Sequence, residues 1–163
     1  MKTILILRHA KSSWKHPELS DHDRPLNKRG KREAPQVGKH LRDQGLQPDI
    51  ILCSTATRAQ DTAQAAAEAC CYEGEMRFIP DLYRADIEDF VGILQGLEEA
   101  FNTAMLVGHN PDLEMLLSFL TEEDESLPTA ALAQVELPIQ AWKELDPDKR
   151  GKLVHLWAPS EEG

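Results

Sequence analysis

The stretch 3-TILILRHAKS-12 passes from an apolar run to charged side chains within ten residues. Its apolar part, within residues 2–7, is short, bounded and rich in isoleucine and leucine, which is typical of a buried strand. Arg8 and His9 follow where this strand is expected to end, and the polar residues 10–26 predict a long loop after it. A buried strand that ends in a guanidinium and an imidazole directs attention to whatever else lies at the same edge of the sheet.

The length and composition of the chain predict one soluble globular domain over residues 1–163. This length is enough for one hydrophobic core, and 41% hydrophobic with 28% charged residues is ordinary for such a protein. No run approaches the ~18 apolar residues of a membrane span, and the N-terminus has no signal-peptide layout. The three cysteines, Cys53, Cys70 and Cys71, form neither a zinc pattern nor a disulfide framework. We therefore expect a cytoplasmic protein that binds no membrane.

The charge of the chain is unevenly distributed. The net charge is −10, which argues against general nucleic-acid binding. Residues 1–42 nevertheless hold 11 Lys/Arg against 4 Asp/Glu, whereas residues 43–163 hold 7 against 24. A basic end in an acidic protein indicates a local anion site, although a solvated basic helix around residues 28–42 accounts for part of the excess.

Short apolar runs alternate with helical patterns along the rest of the chain. Beyond residues 2–7, strands are predicted at residues 49–53, 76–79, 103–107, 130–137 and 152–158. Apolar residues at helical spacing predict helices over residues 27–44, 56–69, 86–100 and 111–120. This alternation predicts an α/β fold, a three-layer α/β/α sandwich on a mostly parallel sheet.

Several helix boundaries follow from residue type. Pro35 lies inside the first helical pattern and is expected to kink or interrupt it. Ser54 and Thr55 are candidate N-caps for the second helix. Asn110 is the expected N-cap of the fourth, with Pro111 at its first position.

Charged and imidazole side chains follow three of the predicted strands. Arg8 and His9 end the first strand, Arg58 falls in the first turn of the helix after the second, and His109 ends the fourth. Because ligands bind beyond the carboxyl ends of parallel strands, we expect these four side chains to converge at one edge of the sheet. A helix N-terminus directly after His109 favours an anion there as well.

Two arginines and two histidines suit phosphoryl transfer. Arginine presents a planar fork of donors that matches a phosphate, and a neutral histidine is a nucleophile at physiological pH. A histidine can take the phosphoryl group covalently while the other donors stabilise the charge on its oxygens. No cluster of carboxylates that would hold magnesium is evident, so the sequence predicts neither a metal nor a cofactor.

Other interpretations of the same residues fit less well or stay open. Cys53 and Arg58 resemble a cysteine-phosphatase loop, but four residues separate them instead of five and no glycine-rich cradle is present. The first turn lacks the G-x-G-x-x-G of a nucleotide-binding Rossmann domain. A non-catalytic module that holds a phosphorylated partner in the same pocket stays open. Trp14 in the long loop either borders the site or anchors the loop.

Three ordered motifs carry a family resemblance. "LRHA", "STATRAQDTA" and "LVGHNP" resemble the histidine phosphatase superfamily, which has the phosphoglycerate-mutase-like fold. The resemblance implies that His9 is the phosphorylated nucleophile, that Arg8 and Arg58 bind phosphoryl oxygens, and that His109 completes the phosphate pocket.

A fourth segment, "DRPLNKRGKREA", resembles the SixA-type phosphohistidine phosphatases within that superfamily. The resemblance implies that Arg24 is an additional substrate-binding contact to the phosphate. A loop salt bridge from Arg24 to Asp21 or Asp23 is the alternative.

One stretch departs from the wider family. Many members carry a glutamate proton donor shortly after the third strand, but "PDLYRAD" here places Arg84 at that position, and Asp81, Asp86 or no carboxylate serves instead. An imidazole leaves without much protonation, whereas an alkoxide needs a positioned acid. We therefore expect a phosphorylated substrate, foremost a protein-borne phosphohistidine. A small-molecule phosphomonoesterase of the same superfamily is the alternative.

Overall fold

The structure, a computed structural model, describes residues 1–159. The predicted domain extends over residues 160–163, which lie outside the described part. Six strands are present: β1 (Lys2–Arg8), β2 (Ile50–Ser54), β3 (Glu75–Ile79), β4 (Thr103–Gly108), β5 (Leu132–Leu137) and β6 (Lys152–Trp157). Four α-helices lie between them: α1 (Lys28–Asp43), α2 (Thr57–Ala69), α3 (Ile87–Gln95) and α4 (Asp112–Thr121). No helix within residues 1–159 has the length and apolar character that a membrane span requires.

The six strands form one sheet in the order β3-β2-β4-β1-β5-β6. β1 and β2 both pair in parallel with β4, and β3 pairs in parallel with β2. β5 runs antiparallel to β1, and β6 runs antiparallel to β5. The sheet is therefore mostly parallel, and the carboxyl ends of β1, β2 and β4 lie next to one another.

Helices cover both faces of the sheet, which confirms the predicted three-layer α/β/α sandwich. Ile4 and Ile6 of β1 pack in the apolar cluster that includes α3 and α4. Leu5 and Leu7 pack in the cluster that includes α1 and α2. All four side chains are fully buried, because successive residues of a central strand point to opposite, equally covered faces.

α1 continues through Pro35, so of the predicted kink or interruption the interruption is wrong. Val37 and Leu41 are fully buried on the far side of Pro35, and such burial stabilises by about 1.5–3 kcal/mol per side chain. Together these exceed the ~3 kcal/mol that a proline costs inside a helix. Gly38 permits a close approach of α1 to α2, because a Cβ there would lie 2.2 Å from the carbonyl oxygen of Ala66.

Three other helix predictions are wrong, two that concern N-caps and one that concerns a helix end. α2 begins at Thr57, one residue after the predicted start, and neither Ser54 nor Thr55 caps it. The Ser54 hydroxyl is bonded to His109 and accepts from the N–H of Ala56, before the helix, and the Thr55 hydroxyl is bonded to His22. α4 begins at Asp112, and its N-cap residue is Pro111 instead of Asn110. The side-chain nitrogen of Asn110 donates to the Leu127 carbonyl and to the Glu114 carboxylate.

α3 is the third case, since it ends at Gln95 instead of residue 100. Gly96 follows at its C-cap position, where the helix loses its side-chain packing and stops.

Candidate active site

His9 lies directly after β1 and is held by the sheet on both sides. Its backbone N–H donates to the carbonyl of Gly108, and its own carbonyl accepts from the N–H of Ala130. The ring Nδ1 lies 2.7 Å from the carbonyl oxygen of Ala10. Because a carbonyl can only accept, Nδ1 carries the proton of the neutral ring, and Nε2 keeps its lone pair for attack.

The surroundings of His9 keep its ring neutral. The residue is 7% exposed, and burial together with the positive charges of Arg58, Arg8 and Arg24 lowers the pKa of His9 to about 4. The hydrogen bond to Ala10 opposes this shift only in part. A buried imidazole among cations disfavours a further positive charge, so the nucleophilic form persists well below neutral pH.

His109 faces His9 from the end of β4. The centres of the two rings lie 5.2 Å apart, and Nε2 of His109 lies 2.8 Å from the hydroxyl oxygen of Ser54. Burial first, then the neighbouring His9 ring and the positive charge of Arg58, lower the pKa of His109 to about 3. Ser54 thereby orients the His109 ring. The buried Nδ1 of His109 has no hydrogen-bond partner.

The two predicted phosphate-binding arginines are anchored through their terminal nitrogens. Arg8 donates from Nη1 to the carbonyl of Leu127 at 2.9 Å. Arg58, in the first turn of α2, donates from Nη1 to the carbonyl of Asp21 at 2.6 Å and from Nη2 to its carboxylate at 3.0 Å. The Nε atoms of both arginines are buried and have no partner. In each guanidinium the Nε–H is therefore a donor that no protein group accepts from.

Arg24 reaches the same centre from the loop after β1. Its Nη1 donates to the Ser12 hydroxyl at 2.9 Å and to the Ser13 carbonyl at 3.2 Å. Its guanidinium lies 3.5 Å from the centre of the Trp14 ring, and Trp14 is 75% exposed. Trp14 thus borders the site and is not a buried anchor for the loop.

Asp21 connects the arginines. Its Oδ1 accepts from Nε of Arg24 at 3.2 Å, and its Oδ2 accepts from Arg58 and from the hydroxyl of Tyr83, the latter at 2.7 Å. The Tyr83 ring stands edge-on to the ring of His109, with 5.5 Å between their centres. The salt bridge that the sequence left as an alternative for Arg24 is formed, and it runs to Asp21.

A comparison with models of protein families identifies the family to which these site residues belong. A model described as the histidine phosphatase superfamily (branch 1) matches residues 4–113, from β1 into the first turn of α4. The chain belongs to the histidine phosphatase superfamily. An uncharacterized chloroplastic protein of Arabidopsis thaliana is 33% identical over 152 residues, which cover 88% of this chain and 70% of that protein.

Solved structures of other histidine phosphatases have the same fold. The crystal structure of a candidate phosphohistidine phosphatase SixA from Agrobacterium tumefaciens is 32% identical, with a TM-score of 0.83 over 97% of this chain and 98% of that one. The protein histidine phosphatase SixA complexed with tungstate gives a TM-score of 0.82 at 22% identity over 96% of each chain. The second likeness shows the fold alone, while the first, with the family match, identifies this chain as a phosphatase.

The segment after β3 differs from the proton-donor pattern expected in many histidine phosphatases. Arg84 adopts a φ of 63°, is exposed, and lies over the Tyr83 ring at 5.2 Å. Asp86 caps α3 by accepting from the N–H of Asp89 at 2.8 Å, and Asp81 lies exposed in a short 3₁₀ turn. The side chain that this segment contributes to the arginine network is the phenol of Tyr83.

Sequence reasoning missed two members of this phosphatase site. Tyr83 carries no motif that marks it, and only the "PDLYRAD" stretch draws attention to its neighbourhood. Thr62 accepts from the N–H of Ala10 at 2.9 Å and donates to the carbonyl of Arg58 at 2.8 Å. Thr62 therefore connects the segment after His9 to α2, and its place four residues after Arg58 is the signal by which the sequence could have indicated it.

The environment of Cys53 excludes the cysteine-phosphatase interpretation. Cys53 is fully buried within β2, and burial raises the pKa of its thiol far above the usual range. A thiol that stays protonated is not a nucleophile. Within residues 1–159, no three histidine, cysteine or carboxylate side chains stand close enough together to hold a metal ion.

Proposed function

We propose that this phosphatase removes phosphoryl groups from histidine side chains of proteins through a covalent phosphohistidine at His9. The observation that carries the proposal is a set of unpartnered, buried polar atoms beside His9: Nε of Arg8, Nε of Arg58 and Nδ1 of His109. Buried polar atoms without partners are costly, so a site that leaves three of them unpaired is built for a ligand that they bind. A phosphoryl group accepts hydrogen bonds through several oxygens at once.

In the proposed reaction, Nε2 of His9 attacks the phosphorus atom and forms a P–N bond. The bond from phosphorus to the leaving group breaks, and the electron pair departs with that group. Arg8, Arg58 and Arg24 compensate the charge on the phosphoryl oxygens in the transition state. Water then attacks the phosphorus, the P–N bond to His9 breaks, and inorganic phosphate leaves with the neutral imidazole restored.

The choice of phosphohistidine rests on proton supply. Asp21, the carboxylate in contact with the arginines, is held ionised by Tyr83 and Arg58, which keep its pKa well below the usual range. An ionised carboxylate has no proton to give, and an imidazole needs one far less than an alkoxide does. The substrate-binding role of Arg24 and the extent of the phosphatase domain over residues 1–163 form part of the same proposal.

Two exposed side chains border the proposed site, and a surface that another protein can contact supports a macromolecular substrate. Trp14 and Arg84 border the arginines and Tyr83 and are both exposed. The similar SixA structure from Agrobacterium tumefaciens is described as a candidate phosphohistidine phosphatase, and the one complexed with tungstate as a protein histidine phosphatase, in agreement with this proposal.

The test is a panel of substrates assayed with the wild type and His9→Ala. The panel holds a chemically phosphorylated histidine protein, p-nitrophenyl phosphate and 3-phosphoglycerate. We expect turnover in the order phosphohistidine, aryl phosphate, alkyl phosphate, and no turnover of any of them by His9→Ala. Efficient phosphoglycerate hydrolysis would favour the small-molecule phosphomonoesterase, and phosphoprotein binding without turnover would favour the non-catalytic module.

A further inference from the structure

We propose that Asp21 is a positioning residue, whose carboxylate holds Arg58 and Arg24 in the orientation that receives the phosphoryl group. The inference rests on the roles proposed above for these two arginines. It assigns Asp21 neither a contact with the phosphoryl group nor a proton transfer. Asp21 acts on the reaction only through the guanidiniums that it holds.

The hydrogen bonds of Asp21 restrain both arginines at once. Arg58 is held at two points, its Nη1 by the Asp21 carbonyl and its Nη2 by Oδ2, so its guanidinium plane cannot turn. Arg24 is held by Oδ1 on one side and by Ser12 and Ser13 on the other. One residue thereby fixes the distance between two cations that would otherwise repel each other.

Asp21 restrains Arg58 without consuming the donor that a substrate needs. A guanidinium has five N–H groups, and the two contacts to Asp21 run through the terminal nitrogens. Nε of Arg58 is buried and unpartnered while Asp21 is in place. A carboxylate that competes with phosphate would accept from Nε of Arg58, whereas Asp21 accepts only from the terminal nitrogens and leaves Nε unpaired, as a positioning residue would.

Neighbouring residues in turn fix the position of Asp21. The Tyr83 hydroxyl donates to Oδ2, and the Tyr83 ring stands edge-on to both His22 and His109, with ring centres 4.9 and 5.5 Å away. Asp21 lies in a 3₁₀ turn over Asp21–Asp23, and Nε2 of His22 in that turn lies 2.8 Å from the Thr55 hydroxyl oxygen. The turn is therefore attached to the segment between β2 and α2, which carries Arg58.

The titration of Asp21 agrees with a structural charge. The Tyr83 hydroxyl and the Arg58 guanidinium hold the pKa of Asp21 well below its usual range, so the carboxylate stays ionised at physiological pH. A carboxylate that stays negatively charged can hold the two positively charged guanidiniums in place at any pH near neutrality. A general acid in this reaction would have to be protonated before attack.

The experiment compares Asp21→Asn with Asp23→Asn on p-nitrophenyl phosphate. Asp23 is the matched control, because it lies in the same turn, is exposed, and contacts only His22 among the contacts described for it, at 3.5 Å. We expect Asp21→Asn to lower kcat by about 10- to 100-fold, the scale of a misplaced catalytic group. Inhibition by inorganic phosphate should not weaken, because one negative charge has left the site. Asp23→Asn should stay within twofold of the wild type in both quantities.

Two further measurements separate positioning from other roles. The pH profile of Asp21→Asn should keep the wild-type shape, whereas the loss of a general acid would remove its alkaline limb. Asp21→Glu should recover part of kcat, because it restores the charge. A kcat for Asp21→Asn within twofold of the wild type would overturn the proposal, as would a faster enzyme with tighter phosphate inhibition, which would indicate a competing carboxylate.

Tyr83→Phe keeps the proposal testable if Asp21→Asn does not fold. It removes one donor to Oδ2 and leaves both arginine contacts, so kcat should fall by about threefold or more. An unchanged kcat in Tyr83→Phe with a wild-type melting temperature would then count against the proposal. Loss of activity in His9→Ala together with a normal Asp21→Asn would reject this inference alone and leave the proposed function standing.

Discussion

The guanidinium of Arg24 stacks on the ring of Trp14 at 3.5 Å, and that ring is 75% exposed. An exposed aromatic side chain thus supports, from outside, a cation that reaches the centre of the proposed site. A contact of this kind contributes about 0.5–1 kcal/mol at an exposed position. It stabilises the orientation of Arg24 more than the fold.

We predict that Trp14→Ala lowers kcat/KM for p-nitrophenyl phosphate by about two- to fivefold, the rate equivalent of that contact. Trp14→Phe should retain part of the effect because a smaller aromatic face remains. The melting temperature should hardly change, since Trp14 is exposed. A Trp14→Ala enzyme with wild-type kcat/KM would show that the stacking has no part in binding the phosphoryl group.

A covalent phosphohistidine should be detectable at His9. Its Nε2 carries the free lone pair while Nδ1 is bonded to the Ala10 carbonyl. Rapid quenching without acid, followed by mass spectrometry, should locate an acid-labile, alkali-stable phosphate on that residue. A label on Cys53 instead, or full activity in His9→Ala, would contradict the assignment.

Arg58→Ala should lose about 2–4 kcal/mol of transition-state stabilisation, the usual scale for a preorganised donor. Arg58→Lys should recover little, because a compact ammonium group lacks the planar fork of donors with which a guanidinium spans both Asp21 and a phosphoryl group. Arg77→Ala is the matched control, since Arg77 pairs with Glu75 and Glu98 at the surface. Near-normal kcat/KM in Arg58→Ala would make Arg58 structural.

On the acid side of the pH profile, activity should decline at a lower pH than it would if the nucleophile had the pKa of a free histidine. The nucleophile must be neutral, and the pKa of His9 is lowered from 6.5 to about 4. Activity should therefore persist as the pH falls through 6.5 and decline only toward pH 4, where His9 gains a proton. The measurement is kcat/KM against pH in the range where the protein stays folded. Half-loss of activity near pH 6.5 would show that His9 is not shielded.

The rate should depend steeply on the leaving group. With Asp21 ionised and no positioned acid, hydrolysis should slow as the pKa of the departing alcohol rises, whereas a proton donor would flatten that slope. A series of aryl phosphates measures the slope. Asp81→Asn and Asp86→Asn test the two carboxylates that the sequence left open. If either abolishes alkyl phosphate hydrolysis and spares aryl phosphates, that residue is the acid.

The strand pattern and the chemistry at the strand ends were readable from the sequence. The apolar run of residues 4–7 predicted a buried strand because no polar side chain interrupts it, and parallel strands bring their carboxyl ends together. The convergence of Arg8, His9, Arg58 and His109 followed from local pattern and topology. Helix limits were predicted less well, as the continuous helix through Pro35 shows, because packing outweighed a local preference.

The tertiary structure alone decided which polar groups are used and which remain open. Asp21 meets Arg58 across 37 residues and Tyr83 across 62, and such separations leave no local signal in the chain. Burial, which sums contributions from both faces of the sheet, set the pKa of His9 and kept the thiol of Cys53 protonated. Residue types therefore determined the kind of chemistry, whereas long-range contacts decided its orientation, its protonation and its unpaired donors, because those properties depend on neighbours distant in sequence.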